Sequence, residues 1–387
     1  MKKSLYSTTA LAAAGMLSLG ASDAFAQAAA PAAPEKLKIA IGGFMTQFVG
    51  YTDQSGSYER GASQTGGRNG YKNFDIKNDS EIHFSGSVKL DNGMTVSVMV
   101  QLEGDDGNSN NGTGLDESFM TIAGEFGSVK IGQTDFSGGG ISAGAPWTGA
   151  RNPSNSDVAE FSIKPSANKI SATLGDNGFG GGDTNKIGYT TPAIAGFRMA
   201  FDYVPDNTTG NTNGTNAQPL RSKTEVRAVA LGWAGTVSDF GIKANVAYVN
   251  NEGTEVTDDV VQVGGGLELK YADWTVGGGY KETEAKNKAG ARVTTSNPEA
   301  WVAAVGVKYA PAKFEVGLYY NRVEFENTGS ISAEDTNNRW LIGAKYNIGP
   351  GVDLVGTIVK DSYQSESNNP NAENSPLSVI GGIAVTF

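Results

Sequence analysis

Residues 240–248 read Phe-Gly-Ile-Lys-Ala-Asn-Val-Ala-Tyr. Phe240, Ile242, Ala244, Val246 and Tyr248 fall on one parity, with Gly241, Lys243, Asn245 and Ala247 on the other. Successive side chains of an extended chain point to opposite faces, so this stretch is a strand with one apolar and one polar side. The pattern recurs outward in both directions. Val261, Val263, Gly265, Leu267, Leu269 and Tyr271 oppose Gln262, Glu268 and Lys270. Phe314, Val316, Leu318 and Tyr320 oppose Glu315, Gly317, Tyr319 and Asn321. Met94, Val96, Val98, Val100 and Leu102 oppose Thr95, Ser97, Gln101 and Glu103, with Met99 as the exception.

Sixteen such runs are expected, at 36–49, 73–90, 93–103, 116–124, 127–133, 184–191, 196–204, 222–234, 239–249, 260–271, 273–281, 299–310, 312–323, 338–347, 351–361 and 377–387. Their connections alternate between short and long. Asp91-Asn92, Glu125-Phe126, 192–195, 236–238, Ala272, Pro311 and 348–350 are short. The stretches 50–72, 104–115, 134–183, 205–221, 250–259, 282–298, 324–337 and 362–376 are long and rich in Asn, Gly, Ser, Thr and Asp. An even number of antiparallel strands, with short turns on one edge and long loops on the other, is the pattern of a transmembrane β-barrel. Both chain ends then lie on the short-turn side, the periplasm.

Aromatic residues indicate which face meets lipid. Phe197, Phe240, Tyr271, Trp274, Tyr309, Phe314 and Tyr346 sit beside short turns on the apolar face. Tyr203, Tyr248, Tyr280, Trp301, Tyr320 and Trp340 sit six to eight residues along the same faces. After allowance for strand tilt the two rows are roughly 20 Å apart, close to the height of an outer-membrane apolar band. Rings with a polar edge collect at membrane interfaces. A soluble sandwich, with these faces as its interior, would not place aromatics at both ends of each strand.

Composition agrees. The 387 residues include 53 Gly, one His and no Cys. There is thus no disulfide framework, thiol nucleophile or Cys-based metal site. A single His leaves little for acid–base enzymology or poly-His metal centres. The formal charge of −11 argues against a nucleic-acid partner. Residues 1–26 carry Lys2 and Lys3, an apolar Leu11–Leu19 stretch and Ala24-Phe25-Ala26, the plan of a secretory signal peptide. Its removal takes away two Lys and Asp23 and brings the charge to −12. Residues 27–35 form a short Ala/Pro lead and 36–387 the barrel. No later stretch of about 20 apolar residues exists to cross a membrane as a helix.

The last run places Leu377, Val379, Ile383, Val385 and Phe387 in alternation up to the final residue. This strand, together with the strand-turn-strand DESFMTIAGEFGSVKIGQTD at 116–135, resembles the general-diffusion porins of Gram-negative bacteria, closest to the alphaproteobacterial kind. The resemblance implies an outer-membrane homotrimer, not an enzyme, that passes ions and small hydrophilic solutes through a water-filled pore. It also implies that the terminal strand is read by the barrel-assembly machinery. In that family the third loop folds into the lumen, which singles out Asp135, Arg151, Asp157, Glu160 and Lys164 within 134–183 as constriction residues. By parity Lys38, His83 and Lys130 face them from the wall. Here the inward basic residues are mostly Lys, where the family has a cluster of Arg. Sixteen strands leave water inside, and charges there stay solvated and act through their field.

A calcium-like spacing runs through Asp106, Asn108, Asn110 and Glu117. Asn111 stands where such a loop has Gly, and no helices flank it, so an acidic surface loop is the simpler reading. Glu252, Glu255, Asp258 and Asp259 offer bridges to lipopolysaccharide through divalent ions. Gly264–Gly266 and Gly277–Gly279 lie inside strands, not before a helix, so they are not phosphate loops. The alternative function is a substrate-selective outer-membrane channel for sugars or organic anions, which calls for an aromatic track or dense basic lining. Tyr319 is an isolated inward aromatic by parity and supplies neither.

Overall fold

The computed structural model describes residues 37–56, 72–104, 114–150, 161–165, 182–205, 225–252, 259–286, 300–328, 332–366 and 372–387. Within them lie sixteen strands: β1 (Lys38–Asp53), β2 (Phe74–Lys89), β3 (Thr95–Glu103), β4 (Leu115–Gly124), β5 (Gly127–Thr134), β6 (Thr184–Thr190), β7 (Phe197–Val204), β8 (Glu225–Val237), β9 (Phe240–Glu252), β10 (Asp259–Tyr271), β11 (Trp274–Lys286), β12 (Ala300–Tyr309), β13 (Phe314–Thr328), β14 (Ser332–Gly349), β15 (Val352–Ser365) and β16 (Leu377–Thr386). Each pairs antiparallel with its sequence neighbours, and β1 pairs with β16, so the sheet closes with no free edge. Closure lets a sheet cross lipid, because every backbone N–H and C=O finds its partner inside the wall.

The last residue takes part in that closure. The Gly43 N–H donates to the Phe387 carbonyl at 3.0 Å, and the Phe387 N–H to the Gly43 carbonyl at 3.1 Å. A Cβ at Gly43 would run into the Glu81 carbonyl of β2, so the close approach requires glycine.

The two faces separate as the alternation requires. On β14, Ile342 is 56% exposed and its neighbour Leu341 0%. The exposed parity is apolar along the wall, and its aromatics touch sideways from strand to strand. Near the short turns Phe240 stacks on Tyr271 with centroids 4.9 Å apart, and Trp274 lies 4.6 Å from Tyr309. At the other end Tyr320 lies 4.4 Å from Trp340, and Tyr280 6.3 Å from Trp301. Trp233, absent from the sequence-derived rows, joins the lower row beside Phe197 and donates its indole N–H to the Ala195 carbonyl.

Several strands run past their expected outer ends, β1 to Asp53, β11 to Lys286 and β15 to Ser365, and one hairpin departs furthest. The stretch 324–337 is expected to be loop, yet the β13–β14 ladder continues to Thr328↔Ser332. Its outer portion carries Arg322, Glu324 and Glu334, with Arg322 bonded to Glu324 at 2.9 Å. Pairing of backbone groups does not depend on an apolar face, so a strand runs on past the lipid with polar side chains.

Candidate functional site: the lumen wall and residues 135–165

Inward residues of β1–β5 form a charged wall. His83 Nε2 lies 2.8 Å from Glu81 Oε2, and its ring meets Phe44 edge-on. Lys130 Nζ sits 4.9 Å from the centre of the Phe119 ring. Lys38, Ser87, Ser97, Thr121 and Lys130 are successive cross-strand partners, so the two lysines share one row. His83 lies four residues up its strand from Ser87, a rise of about 13 Å. Lys38 and Lys130 thus share one row, while His83 lies buried against Glu81 and Phe44.

Residues 135–150 and 161–165 contact the inward parity of the remaining wall. Asp135 donates its N–H to Glu117 Oε1 at 2.8 Å, and Thr134 Oγ1 donates to the same oxygen. Ser137 donates from both N and Oγ to Asp202, at 3.0 and 2.8 Å. Phe136 packs among Val204, Val226, Ala228, Ala230, Ala247 and Val249. Ala143 N–H donates to Asn245 Oδ1 at 2.8 Å, and Ala150 N–H to Thr357 Oγ1 at 2.7 Å. Phe161 joins Phe48, Tyr319, Leu341, Val359 and Ile380, with the Lys77 ammonium 5.1 Å from its ring centre. Ile163 is held at both backbone polar atoms, its N–H by Gln54 and its carbonyl by Asn374. Lys164 follows it, half-buried.

Of the expected constriction residues, Asp135 and Lys164 are therefore placed, whereas Arg151, Asp157 and Glu160 lie outside the described residues. So do Asp106, Asn108 and Asn110 of the calcium-like spacing and the whole of 1–36. Glu117, the last residue of that spacing, faces inward, and its carboxylate oxygens come within 4.8 Å of those of Asp135 and Asp183. Its bonds to Thr134 and Asp135 make it a fastening for the start of the inner segment.

The pairing of several charged groups on the inner face depends on register as well as parity. Glu315 lies between Lys345 at 2.8 Å and Lys308 at 3.6 Å, and accepts from Thr148 Oγ1 at 3.2 Å. Arg339 and Asp361 form a pair with no solvent contact worth counting, Nε to Oδ1 at 2.6 Å and a second N–H to Oδ2 at 3.1 Å. Tyr319 faces inward as parity requires, but it is buried beneath the inner segment, not free to touch a solute.

The Gram-negative porin family model matches residues 7–365. Solved structures share the fold at low identity. A refined porin is 15% identical, with a TM-score of 0.56, over 90% of this chain and 100% of its own. The anion-selective porin from Comamonas acidovorans is 16% identical, with a TM-score of 0.58, over 91% and 100%. The outer-membrane protein OmpT of Vibrio cholerae, in trimer form, is 11% identical, with a TM-score of 0.59, over 91% and 100%. No curated protein matches the sequence. A closed sixteen-strand wall with its apolar parity outward, its charged parity inward and a family match across nearly the whole length leads to one conclusion: this chain belongs to the Gram-negative porins and is a diffusion channel of the outer membrane.

Proposed function

We propose that the pore is a passive one for ions and small hydrophilic solutes, narrowed by residues 135–150 and 161–165 and without a dedicated substrate site. The observation that carries this reading is the mixed sign of the charges left facing the lumen. Among the described residues Lys38, Lys130, Lys308 and Lys345 stand with Glu268 and Glu315 and give no dense basic lining, while Tyr319 lies covered. Solutes that exchange water contacts pass such a surface; a saturable site for one of them has no wall to form on. His83 is engaged by Glu81 and not by a hydroxyl, which favours a channel over a hydrolase. Reconstituted channels should therefore conduct in proportion to salt, with no block by millimolar sugars or organic anions. Saturable block by one of them would establish the selective alternative.

The assembled form in this reading is a homotrimer, with the contact on the β15–β16–β1–β2 side. There Gln47 and Asn78, exposed and paired across β1 and β2, point away from the lumen, with Met45, Val49, Ile76 and Ile82 around them. Amides facing lipid would lack partners, whereas a second copy can supply them. Alongside, Gly356 pairs with Gly381 on the same outward parity and leaves the wall flat. Gly381→Trp should convert a trimer to monomers on native electrophoresis while the barrel stays folded; an unchanged trimer would move the contact elsewhere. The terminal strand β16 closes on β1, so it is the edge an assembly factor would hold before closure.

A further inference from the structure

Where the inner segment crosses the wall, the wall has no side chains. A Cβ built on Gly188 of β6 would strike Ser137 Oγ. On Gly232 of β8 it would lie 2.7 Å from the Ile141 carbonyl oxygen. On Gly277 of β11 it would strike the Gly144 carbonyl, on Gly306 of β12 the Pro146 carbonyl, and on Gly343 of β14 the Thr148 carbonyl. Gly317 of β13 comes next to Thr148 Cγ2, at 3.2 Å. Segment and wall advance together: residue numbers rise from 137 to 148 as strand numbers rise from β6 to β14.

These positions step across the wall in short cross-strand runs: the course through Gly188 meets β8 at Ala228, four residues from Gly232, the course through Gly232 meets β11 at Gly279, two from Gly277, and the course through Gly306 meets β13 at Tyr319, two from Gly317. Gly188 pairs with Asp202, Gly232 with Asn245, Gly277 with Gly306, Gly317 with Gly343, and Gly343 with Thr357. The three members that do have side chains, Asp202, Asn245 and Thr357, are the three that accept hydrogen bonds from Ser137, Ala143 and Ala150. The belt is thus glycine where the segment's carbonyls or Ser137 Oγ press on the wall, and an acceptor where its N–H groups do. Gly149 completes the fit with φ of 121° and backbone packed on Gly356 and Gly343, a conformation and an approach closed to any residue with a Cβ.

We infer that this belt is the positioning device that sets the calibre of the pore: it seats residues 137–150 flush on the wall, and a side chain at a belt glycine displaces them into the water path. The inference rests on the channel reading but is separable from it. At Gly232, Gly277, Gly306 and Gly343 a branched side chain must push a carbonyl inward by more than the room available, because the neighbours there are backbone atoms that cannot rotate away.

The test uses single-channel conductance of the full-length protein, with heat-modifiable electrophoretic migration as the check that the barrel is closed. Gly306→Val and Gly343→Val should each lower the conductance step by half or more. Gly241→Val, inward on β9 but off the belt, where a Cβ meets only Lys270 Cβ at 3.6 Å, should leave it within a tenth of the parent value. If the valine variants fail to close, Asn245→Ala with Thr357→Ala removes two acceptors without adding bulk and should broaden the open-channel current and shift its mean by at least a fifth. Parent-like steps from closed-barrel belt variants, or from the double alanine variant, would overturn the belt's role. A parent protein that forms no channel would instead overturn the channel reading.

Discussion

Arg339→Ala should lower the unfolding free energy by about 3–5 kcal/mol, the range for stripping one partner from a buried ion pair. Both side chains are enclosed, at 0% and 1% exposure, and the two parallel N–H···O contacts fix the guanidinium on the carboxylate. Asn337 adds a bond to the same Asp361, and the Asp361 N–H donates to the Pro376 carbonyl, so the segment 374–376 sits against the pair. With Arg339 gone, the buried carboxylate loses the guanidinium that faces it. The double variant Arg339→Met with Asp361→Leu removes both charges of the pair and should recover most of the loss. Urea titration in detergent micelles, followed by tryptophan fluorescence, separates these outcomes. Equal destabilisation by the single and double variants would mean that packing, not the orphaned charge, sets the effect.

Ile342→Arg is the second large effect, about 2–4 kcal/mol, as expected for a cation placed on the lipid face near the middle of an outer-membrane wall. Ile342 points outward between Trp340 and Tyr346, with Leu318 and Ile358 beside it on the neighbouring strands. Gln262→Arg places the same side chain on the opposite parity of β10, where the lumen hydrates it, and should cost under about 1 kcal/mol. The contrast matters more than either value.

The wall was legible in the sequence because a strand's alternation has a period of two and errors of a residue or two at its ends do not change which face a side chain takes. Phe240 to Tyr248 needed nothing beyond that. The ends were less legible: the β13–β14 ladder outlasts its apolar parity, and ladder bonds leave no mark on side-chain type. Lys38, His83 and Lys130 fall on the parity opposite the exposed apolar side chains, but that Lys38 and Lys130 share a row depends on the register of four strand pairs, which no single strand encodes. The inner segment was the least legible. Its seat is made from Gly277, Gly306 and Gly343, which in sequence look like the small residues of any curved sheet. One signal was present: β8 carries Val226, Ala228 and Ala230 on one parity and Val229 and Leu231 on the other. A strand apolar on both faces has something dry on both, here lipid on one side and Phe136 on the other.

Because the chain has no Cys, spin labels can be placed one at a time on single cysteines along β10. In lipid vesicles, labels at 261, 263, 267 and 269 should be relaxed by dissolved oxygen, and those at 262, 264, 266, 268 and 270 by a water-soluble nickel chelate, two period-two profiles in opposite phase. Profiles in the same phase, or nickel access at both parities, would contradict a wall with hydrocarbon on one side and water on the other.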